Sequence, residues 1–315
     1  MKKLGLVALL AAVGAWFVAS SRRQKVVRKF TSLASRTLQP SFHEFRRDAD
    51  VELLLRDLRA AQPDAVCVFR PELIPAGALH GLDALTLGFL TEPLQREAEG
   101  APHEDLAHRL WEFGHVDGSN FDRIVAFDPF IAPAASGSLD VWRSMPLPVG
   151  DRYFRDVKPL RGKPRLLFVG RSTPHRERVL MDVKHHHDLL HLAFGVGAAQ
   201  LEQALDEHDV GINVHNQDYP SFENRVCLHL AAGHLVLSEW LSPAHGLELG
   251  LDYIEITGPG SLYHAAEMLT RFPGLWHRVR VRGRRKAEQF RASRVWPRLL
   301  HDAVADVGAF GSARP

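Results

Sequence analysis

The sequence predicts an α/β protein made of two parallel sheets, each covered by helices on both faces. Three observations predict it. Short apolar runs of strand length alternate with amphipathic stretches of helix length along the chain, which requires crossover helices between parallel strands. A stretch rich in charge, Pro and Gly, from Gly150 to Pro164, interrupts the series and reads as a linker. The 315 residues are enough for two domains of ordinary size. The expected division is an apolar segment and basic stretch over 1–40, a first domain over 41–155 and a second over 156–305. Two such domains face a cleft, with ligands at the carboxyl ends of the strands.

The elements follow in order. VELLLRDLRAA (Val51–Ala61) has helical periodicity, and Gln62-Pro63-Asp64 stops it. AVCVF (Ala65–Phe69), LTLGFL (Leu85–Leu90) and RIVAF (Arg123–Phe127) are buried strands, with the helix HEDLAHRLWEFG (His103–Gly114) before the third. WRSMPLPV is strand-like and leads to the linker. In the second half RLLFVG (Arg165–Gly170) is a strand, followed by a loop and a helix to about His186. DLLHLAF (Asp188–Phe194) is a strand and GAAQLEQALDEH a helix. LDYIEI (Leu251–Ile256) is the last strand, SLYHAAEMLTRF a helix, and Leu275 to Leu300 a long basic helix or helix pair. The tail VGAFGSARP is expected to fray.

Composition narrows the classes. Hydrophobic content of 45% and charged content of 24% are those of a soluble globular protein. The net charge of +2, from 39 basic and 37 acidic residues, gives no ground for a nucleic-acid partner. Two cysteines, Cys67 and Cys227, sit in apolar segments and read as buried reduced thiols, which fits a cytosolic body.

The most informative stretch runs from Asp209 to Leu241, DVGINVHNQDYPSFENRVCLHLAAGHLVLSEWL. It reads as strand, polar loop, helix, strand. Ser221 is placed to cap the helix with Asn224 at its third position, Gly233 stops it, and HLVLSEW is the next strand. A loop ending at a helix N-terminus offers free N–H groups and a positive dipole end, which suits a phosphate. Arg225 in the first turn adds a permanent charge of fork geometry. This stretch resembles the donor half of a GT-B glycosyltransferase, in which such a loop and helix hold the diphosphate of a nucleotide sugar. AAG and LVLSE stand where that superfamily has a small-residue turn and its following strand, and Arg225 lies eight residues before Gly233, as in bacterial family-1-like transferases. Many members carry a Glu five residues before this Gly that contacts the donor; here Leu228 stands there. Either Glu223 takes that role or the role is absent.

The resemblance assigns further residues. Gly170 and Arg171 follow the first strand of the second domain, where a Gly and a basic residue lie near the donor phosphates, with Arg176 and Arg178 as alternates. Gly195-Val196-Gly197 lacks the third Gly of a dinucleotide fingerprint and is assigned to the nucleobase pocket. The donor set is therefore Gly170, Arg171, Gly195, Ser221, Glu223, Asn224 and Arg225. Glu72, Glu92, Asp117 and Asp128 lie at strand ends or loops of the first domain, where an inverting enzyme keeps its base. Glu72 and Glu92 lead because each follows a buried strand directly. For each carboxylate alone, accepting backbone hydrogen bonds is the commoner role. His185-His186-His187-Asp188 with His191 crosses an expected helix–strand boundary, so no metal site is expected, and no cofactor is implied.

Leu4–Ala19, LGLVALLAAVGAWFVA, is an uncharged run of 16 residues, short of a span of about 20. It reads either as a membrane anchor or interfacial helix, or as the first strand and helix of the first domain. A cleaved signal peptide lacks a convincing small-residue site before Ser20. Arg22, Arg23, Lys25, Arg28, Lys29 and Arg36 favour a cytoplasmic body attached to the inner face of the membrane through residues 4–36. The expected function is metal-independent transfer of a sugar from a nucleotide-diphosphate donor to a glycan or lipid-linked acceptor of the cell envelope. The alternatives are a nucleotide-sugar epimerase on the same fold and a non-catalytic GT-B-like binding subunit.

Overall fold

A computed structural model describes residues 5–11, 38–45, 50–91, 104–131, 139–160, 162–193 and 196–314. The chain forms two compact units, Met1–Met145 with Trp296–Pro315, and Pro146–Val295. The crossing after Met145 comes ahead of the expected 155. The return at Trp296 falls inside the stretch expected to close the second domain.

The first unit is built on a six-stranded sheet. Strands β1 (Gly5–Ala11), β2 (Gln39–Phe45), β3 (Ala65–Phe69), β4 (Leu85–Leu90), β5 (Arg123–Ala126) and β6 (Val141–Ser144) lie in the order β2-β1-β3-β4-β5-β6. β3 to β6 are parallel, and β4 is buried along its whole length, as a strand covered on both faces must be. β1 is antiparallel to both neighbours, with Gly5 opposite Phe45 and Val7 opposite Val68. The described part of the apolar N-terminal run is thus a sheet strand, the first-strand reading of those residues. A partly parallel sheet meets its apolar needs with a shorter run than a bilayer does. Residues 12–37, with the basic stretch, lie outside the described residues. Among the described residues no helix is long and apolar enough to cross a membrane.

Helix α1 (Val51–Ala61) starts at Asp50, whose side chain accepts from Glu52 N at 2.9 Å. It buries Leu54, Leu55 and Leu58, and stops at Gln62, which adopts a left-handed φ of 47°. Helix α2 (Glu104–Phe113) buries Phe113. Phe121 packs on Gly88 of β4 so closely that a Cβ there would sit 3.1 Å from the ring.

The second unit holds five parallel strands, β7 (Leu166–Val169), β8 (Leu189–Leu192), β9 (Val210–Asn213), β10 (Leu235–Ser238) and β11 (Ile254–Glu255), in the order β11-β10-β9-β7-β8. Helices α3 (Pro174–His186), α4 (Ala198–Glu207), α5 (Asn224–Ala231), α6 (Pro259–Arg271) and α7 (His277–Lys286) alternate with them or follow. Phe168, Val210, Ile212, Leu235 and Leu237 of the sheet pack with Val179, Leu180 and Val183 of α3 and Leu262, Ala266 and Leu269 of α6. Gly211 lets α5 lie close on β9, since a Cβ there would fall 2.2 Å from His229 Cγ. His229 is buried and lies 3.1 Å, Nδ1 to Nδ1, from buried His234, whose Nε2 donates to Leu205 O at 2.8 Å.

Helix α8 (Ala292–Phe310) carries the chain back to the first unit. Trp296 meets Phe69 and Phe89 edge-on, and Arg123 and Arg143 pair with Asp306 and Asp302. The tail does not fray at Arg314. That side chain is 4% exposed and donates to Leu82 O, Ala84 O and Thr86 Oγ1, with the Asp122 carboxylate at 3.5 Å. Both terminal nitrogens of this buried guanidinium meet acceptors, with a carboxylate beside them, which holds the tail in place.

Candidate functional site

Topology locates the site before any side chain does. From β7 the chain moves to β8 on one side of the sheet, and from β9 it moves to β10 on the other. The carboxyl ends of β7 and β9, which are neighbours, therefore form a topological switch point, where open α/β sheets bind ligands. Gly170 and Arg171 follow β7, and the loop from Val214 to Glu223 follows β9.

Arg225, in the first turn of α5, reaches back to this point. Its Nε donates to Val169 O at 2.6 Å, and its Nη1 to Asn213 Oδ1 and Val214 O, each at 3.0 Å. Its Nη2 donates to Glu223 Oε2 at 3.3 Å. Four of the five guanidinium N–H bonds are thus spent on protein acceptors. Arg176, near the start of α3, is 2% exposed and donates to Val214 O, His215 O, Arg171 O and Glu223 Oε1. Both guanidiniums lie over Phe168, 5.1 Å for Arg225 and 5.4 Å for Arg176 from the ring centroid. Gly170 is required by this packing, because a Cβ would meet Arg225 Nη2 at 2.9 Å.

Glu223 stands between the two arginines and is the N-cap of α5, although its side chain caps no N–H. Burial lowers the pKa of Arg176 to about 9, with the Arg225 charge adding and Glu223 opposing. Burial also lowers that of Arg225 against Glu223 and Glu239. Arg176 therefore remains protonated at neutral pH.

Glu239 follows β10 and holds the same loop from the other side. Its Oε2 accepts from His215 N at 2.6 Å and its Oε1 from His175 Nε2 at 2.8 Å. His175 Nδ1 accepts from Arg178 Nη2 at 2.9 Å, which fixes the tautomer. His215 donates from Nε2 to Trp240 O and accepts at Nδ1 from Ser221 Oγ at 2.9 Å. Burial keeps the His215 pKa below its ordinary value, with Glu239 opposing. Arg171 is exposed and donates from Nε to Asn216 Oδ1 at 3.0 Å, and Thr173 Oγ1 donates to Asn216 O at 2.9 Å. Asn216 is only 9% exposed, and its Nδ2 has no hydrogen-bond partner among the described residues.

The structure thus brings Gly170, Arg171, Ser221, Glu223, Asn224 and Arg225 into one constellation. Ser221 is not the cap of α5. Its hydroxyl is taken by His215, and the helix opens with Asn224 at its first position. The Asn224 Oδ1 accepts from Leu147 N at 3.3 Å and so ties down the start of the second unit. Leu228 packs with Tyr153, Val169, Leu192 and Leu201 on an apolar cluster. Gly195 and Glu92 lie outside the described residues. Sequence reasoning passed over Asn213, His175, His215 and Glu239. The available signal was position: Asn213 ends β9, and Glu239 directly follows β10, its parallel neighbour.

Glu72, Asp117 and Asp128, the described candidates of the first unit, are engaged. Glu72 is paired with Arg70, whose Nη2 donates to Glu112 Oε1 at 2.9 Å. Burial raises the Glu72 pKa while Arg70 pulls it back. Its side chain is 4% exposed, so an acceptor hydroxyl has little access to it in this conformation. Asp117 accepts from Gly77 N and Ser119 N, and Asp128 from Phe130 N. Of the histidine run, His187 closes α3 and faces Glu267 at 3.3 Å. Among the described residues no three His, Cys, Asp or Glu side chains are grouped to hold a metal ion.

No protein-family model matches the sequence, and no curated protein does. Solved structures do. HepE of Anabaena in complex with UDP-glucose superposes with a TM-score of 0.53 at 10% identity, over 82% of each chain. The sucrose-phosphate synthase of Thermosynechococcus elongatus gives 0.55 at 12% identity, over 82% of this chain and 77% of its own. These matched structures are GT-B glycosyltransferases. The fold is GT-B. A glycosyltransferase of Rickettsia africae matches it too, at 0.51 and 9% identity over 82% of this chain and 80% of its own. In GT-B terms the arginine constellation lies in the second Rossmann-like unit.

Proposed function

We propose that the chain is a glycosyltransferase that binds a nucleotide-diphosphate sugar at the carboxyl ends of β7 and β9. The observation that carries the reading is the Asn216 amide, buried and without a partner at Nδ2, with Arg171 on its Oδ1 and Arg176 and Arg225 bonded to the adjoining loop carbonyls of His215 and Val214. A buried donor left unsatisfied is costly, and a phosphate oxygen would satisfy it. Arg171, Arg176 and Arg225 outnumber Glu223 and Glu239, so the site keeps positive charge for an anion. HepE and its UDP-glucose make such a donor the natural probe.

In this reading Arg171 and Asn216 touch the diphosphate, while Arg176, Glu223 and Arg225 fix the loop that presents them. The developing charge on the leaving diphosphate is met by preorganised N–H donors, and no divalent cation is needed. Tyr153, Val169, Leu192 and Leu201 offer an apolar bed for the nucleobase. The acceptor is a glycan or a lipid-linked glycan of the cell envelope, and the reaction takes place in the cytoplasm, where nucleotide sugars are made.

Thermal-shift screening against nucleotide-diphosphate sugars, followed by assay of glycoside formation before and after chelation, tests the proposal. A ligand at about 100 times its Kd adds about 2.7 kcal/mol of stability. Turnover that needs added manganese or magnesium would overturn the metal-free step, and absence of any donor binding would overturn the whole. Leu228 and the engagement of Arg225 favour one second reading, a GT-B-like subunit that binds a donor without turning it over. Donor binding without transfer or hydrolysis would select it, and conversion of the donor sugar to its epimer would select an epimerase.

A further inference from the structure

The loop that follows β9 is closed on itself by a buried side chain. His215, 3% exposed, stands at its near end and Ser221, also 3% exposed, at its far end. Between them Asn216 is buried, Gln217 and Tyr219 are half-buried, and Asp218 and Pro220 are exposed. The His215 ring spans this gap. Its Nε2 lies 2.8 Å from Trp240 O, an atom that can only accept, so Nε2 carries the proton. Nδ1 is then an acceptor and takes the Ser221 hydroxyl at 2.9 Å.

The two bonds of the ring are not equivalent. The bond to Trp240 ties the near limb of the loop to the end of β10, and Glu239 already does that, accepting at Oε2 from His215 N at 2.6 Å. The bond to Ser221 joins the near limb to the far one. The near limb carries Asn216, held by Thr173 Oγ1 and Arg171, with its Nδ2 unpartnered among the described residues. The far limb runs through Phe222 to Glu223 and the first turn of α5. Arg176 also spans the two limbs, from His215 O at 3.1 Å to Glu223 Oε1 at 3.2 Å, but through a carboxylate that it shares with Arg225. The His215–Ser221 bond is shorter, and a stiff ring makes it.

We propose that His215 is a positioning residue of the donor site, and that its bond to Ser221 holds the Asn216 amide and the start of α5 at the spacing a diphosphate bridges. The inference rests on the donor reading above. Two phosphates joined through one oxygen form a compact ligand of fixed reach, so the groups that grip them must stand at a matched separation. A loop that had to close around the ligand would give up part of its affinity to the entropy of ordering. With His215 in place, that ordering is complete before the donor arrives.

The test uses the full chain with UDP-glucose as the probe. His215→Asn puts an amide oxygen where Nδ1 stands and keeps an acceptor for Ser221. His215→Gln puts an amide nitrogen where Nε2 stands and keeps a donor for Trp240 O. His215→Gln should raise the Kd for UDP-glucose by roughly tenfold, the factor that one hydrogen bond of ordinary strength carries. His215→Asn should recover most of that loss. Ser221→Ala removes the other partner and should match His215→Gln, and the double variant should bind no more weakly than either single one. Melting temperatures check folding. Amide exchange over residues 216–221, measured without ligand, should quicken in His215→Gln and Ser221→Ala but not in His215→Asn. Equal Kd in wild type and His215→Gln, equal losses in His215→Gln and His215→Asn, or additive losses in the double variant would each overturn the proposal and leave the donor site standing. Failure of wild type to bind any nucleotide sugar would overturn both, with the exchange difference surviving as the mark of a purely structural bond.

Discussion

Replacing Arg225 by Lys separates two roles that a simple alanine change would merge. The charge is kept, but one ammonium cannot reproduce a fork that serves Val169 O, Asn213 Oδ1, Val214 O and Glu223 together. At best one of these anchors survives. Each lost hydrogen bond costs about 1 kcal/mol, and each buried acceptor left without a donor about 1–3 kcal/mol. Some of the freed acceptors will find water or shift, so we expect a net loss of about 3 kcal/mol of stability. Urea unfolding of the full chain measures it, and calorimetric titration with UDP-glucose measures the donor site. If Arg225 acts by holding the Val214–Asn216 loop, affinity falls along with stability. Unchanged stability with abolished binding would show that Arg225 touches the donor directly, and our assignment of it to the scaffold would be refuted.

Acid should destabilise the second unit. Burial holds His234 down to about 3 and His229 well below its ordinary value, so both are neutral when folded. Unfolded histidine takes up a proton near 6.5, so their contribution is complete above that pH and is lost as pH falls from there toward the folded values. From about pH 7 to about pH 5 His234 accounts for a loss of about 2 kcal/mol, and His234→Gln should flatten the slope of stability against pH. Denaturation curves that coincide at the two pH values would rule this out. Deleting residues 1–11 should disrupt the first unit rather than free it from a membrane, because β1 lies between β2 and β3. A truncated chain with unchanged circular dichroism and melting temperature would contradict the sheet order.

The parts of the fold written in local pattern were legible. The α1 helix and strands β3 and β4 stand at the residues where apolar periodicity and breakers put them, since Gln62-Pro63 and the loop polar residues mark their ends. β2 was not foreseen. QPSFHEF begins with Pro near its start and carries Ser, His and Glu, as an edge strand is free to do. The N-terminal run could not declare itself, because an uninterrupted apolar stretch has no period to separate strand from span. In the candidate site, Gly170, Glu223 and Arg225 were readable from their places around a strand end and a helix start. Where the Arg225 donors go was not, since spacing says nothing of which carbonyl faces which N–H. His175 and Glu239 meet across 64 residues of chain, and Arg314 and Thr86 across 228, separations that no local pattern encodes.

The division of the chain has a consequence for its birth on the ribosome. The second unit is one unbroken segment, Pro146–Val295, whereas the first needs residues from Trp296 onward. Synthesis from the N-terminus normally lets the earlier domain mature first. Here the order is inverted: the later-encoded unit is the first whose residues have all been made. Until α8 emerges, Phe69 and Phe89 lack Trp296, and the Thr86–Asp122 pair lacks Arg314. The first unit must wait in an incomplete state until those residues are made. A chain cut after Val295 would therefore keep every residue of the second unit and cost the first one Trp296 and Arg314.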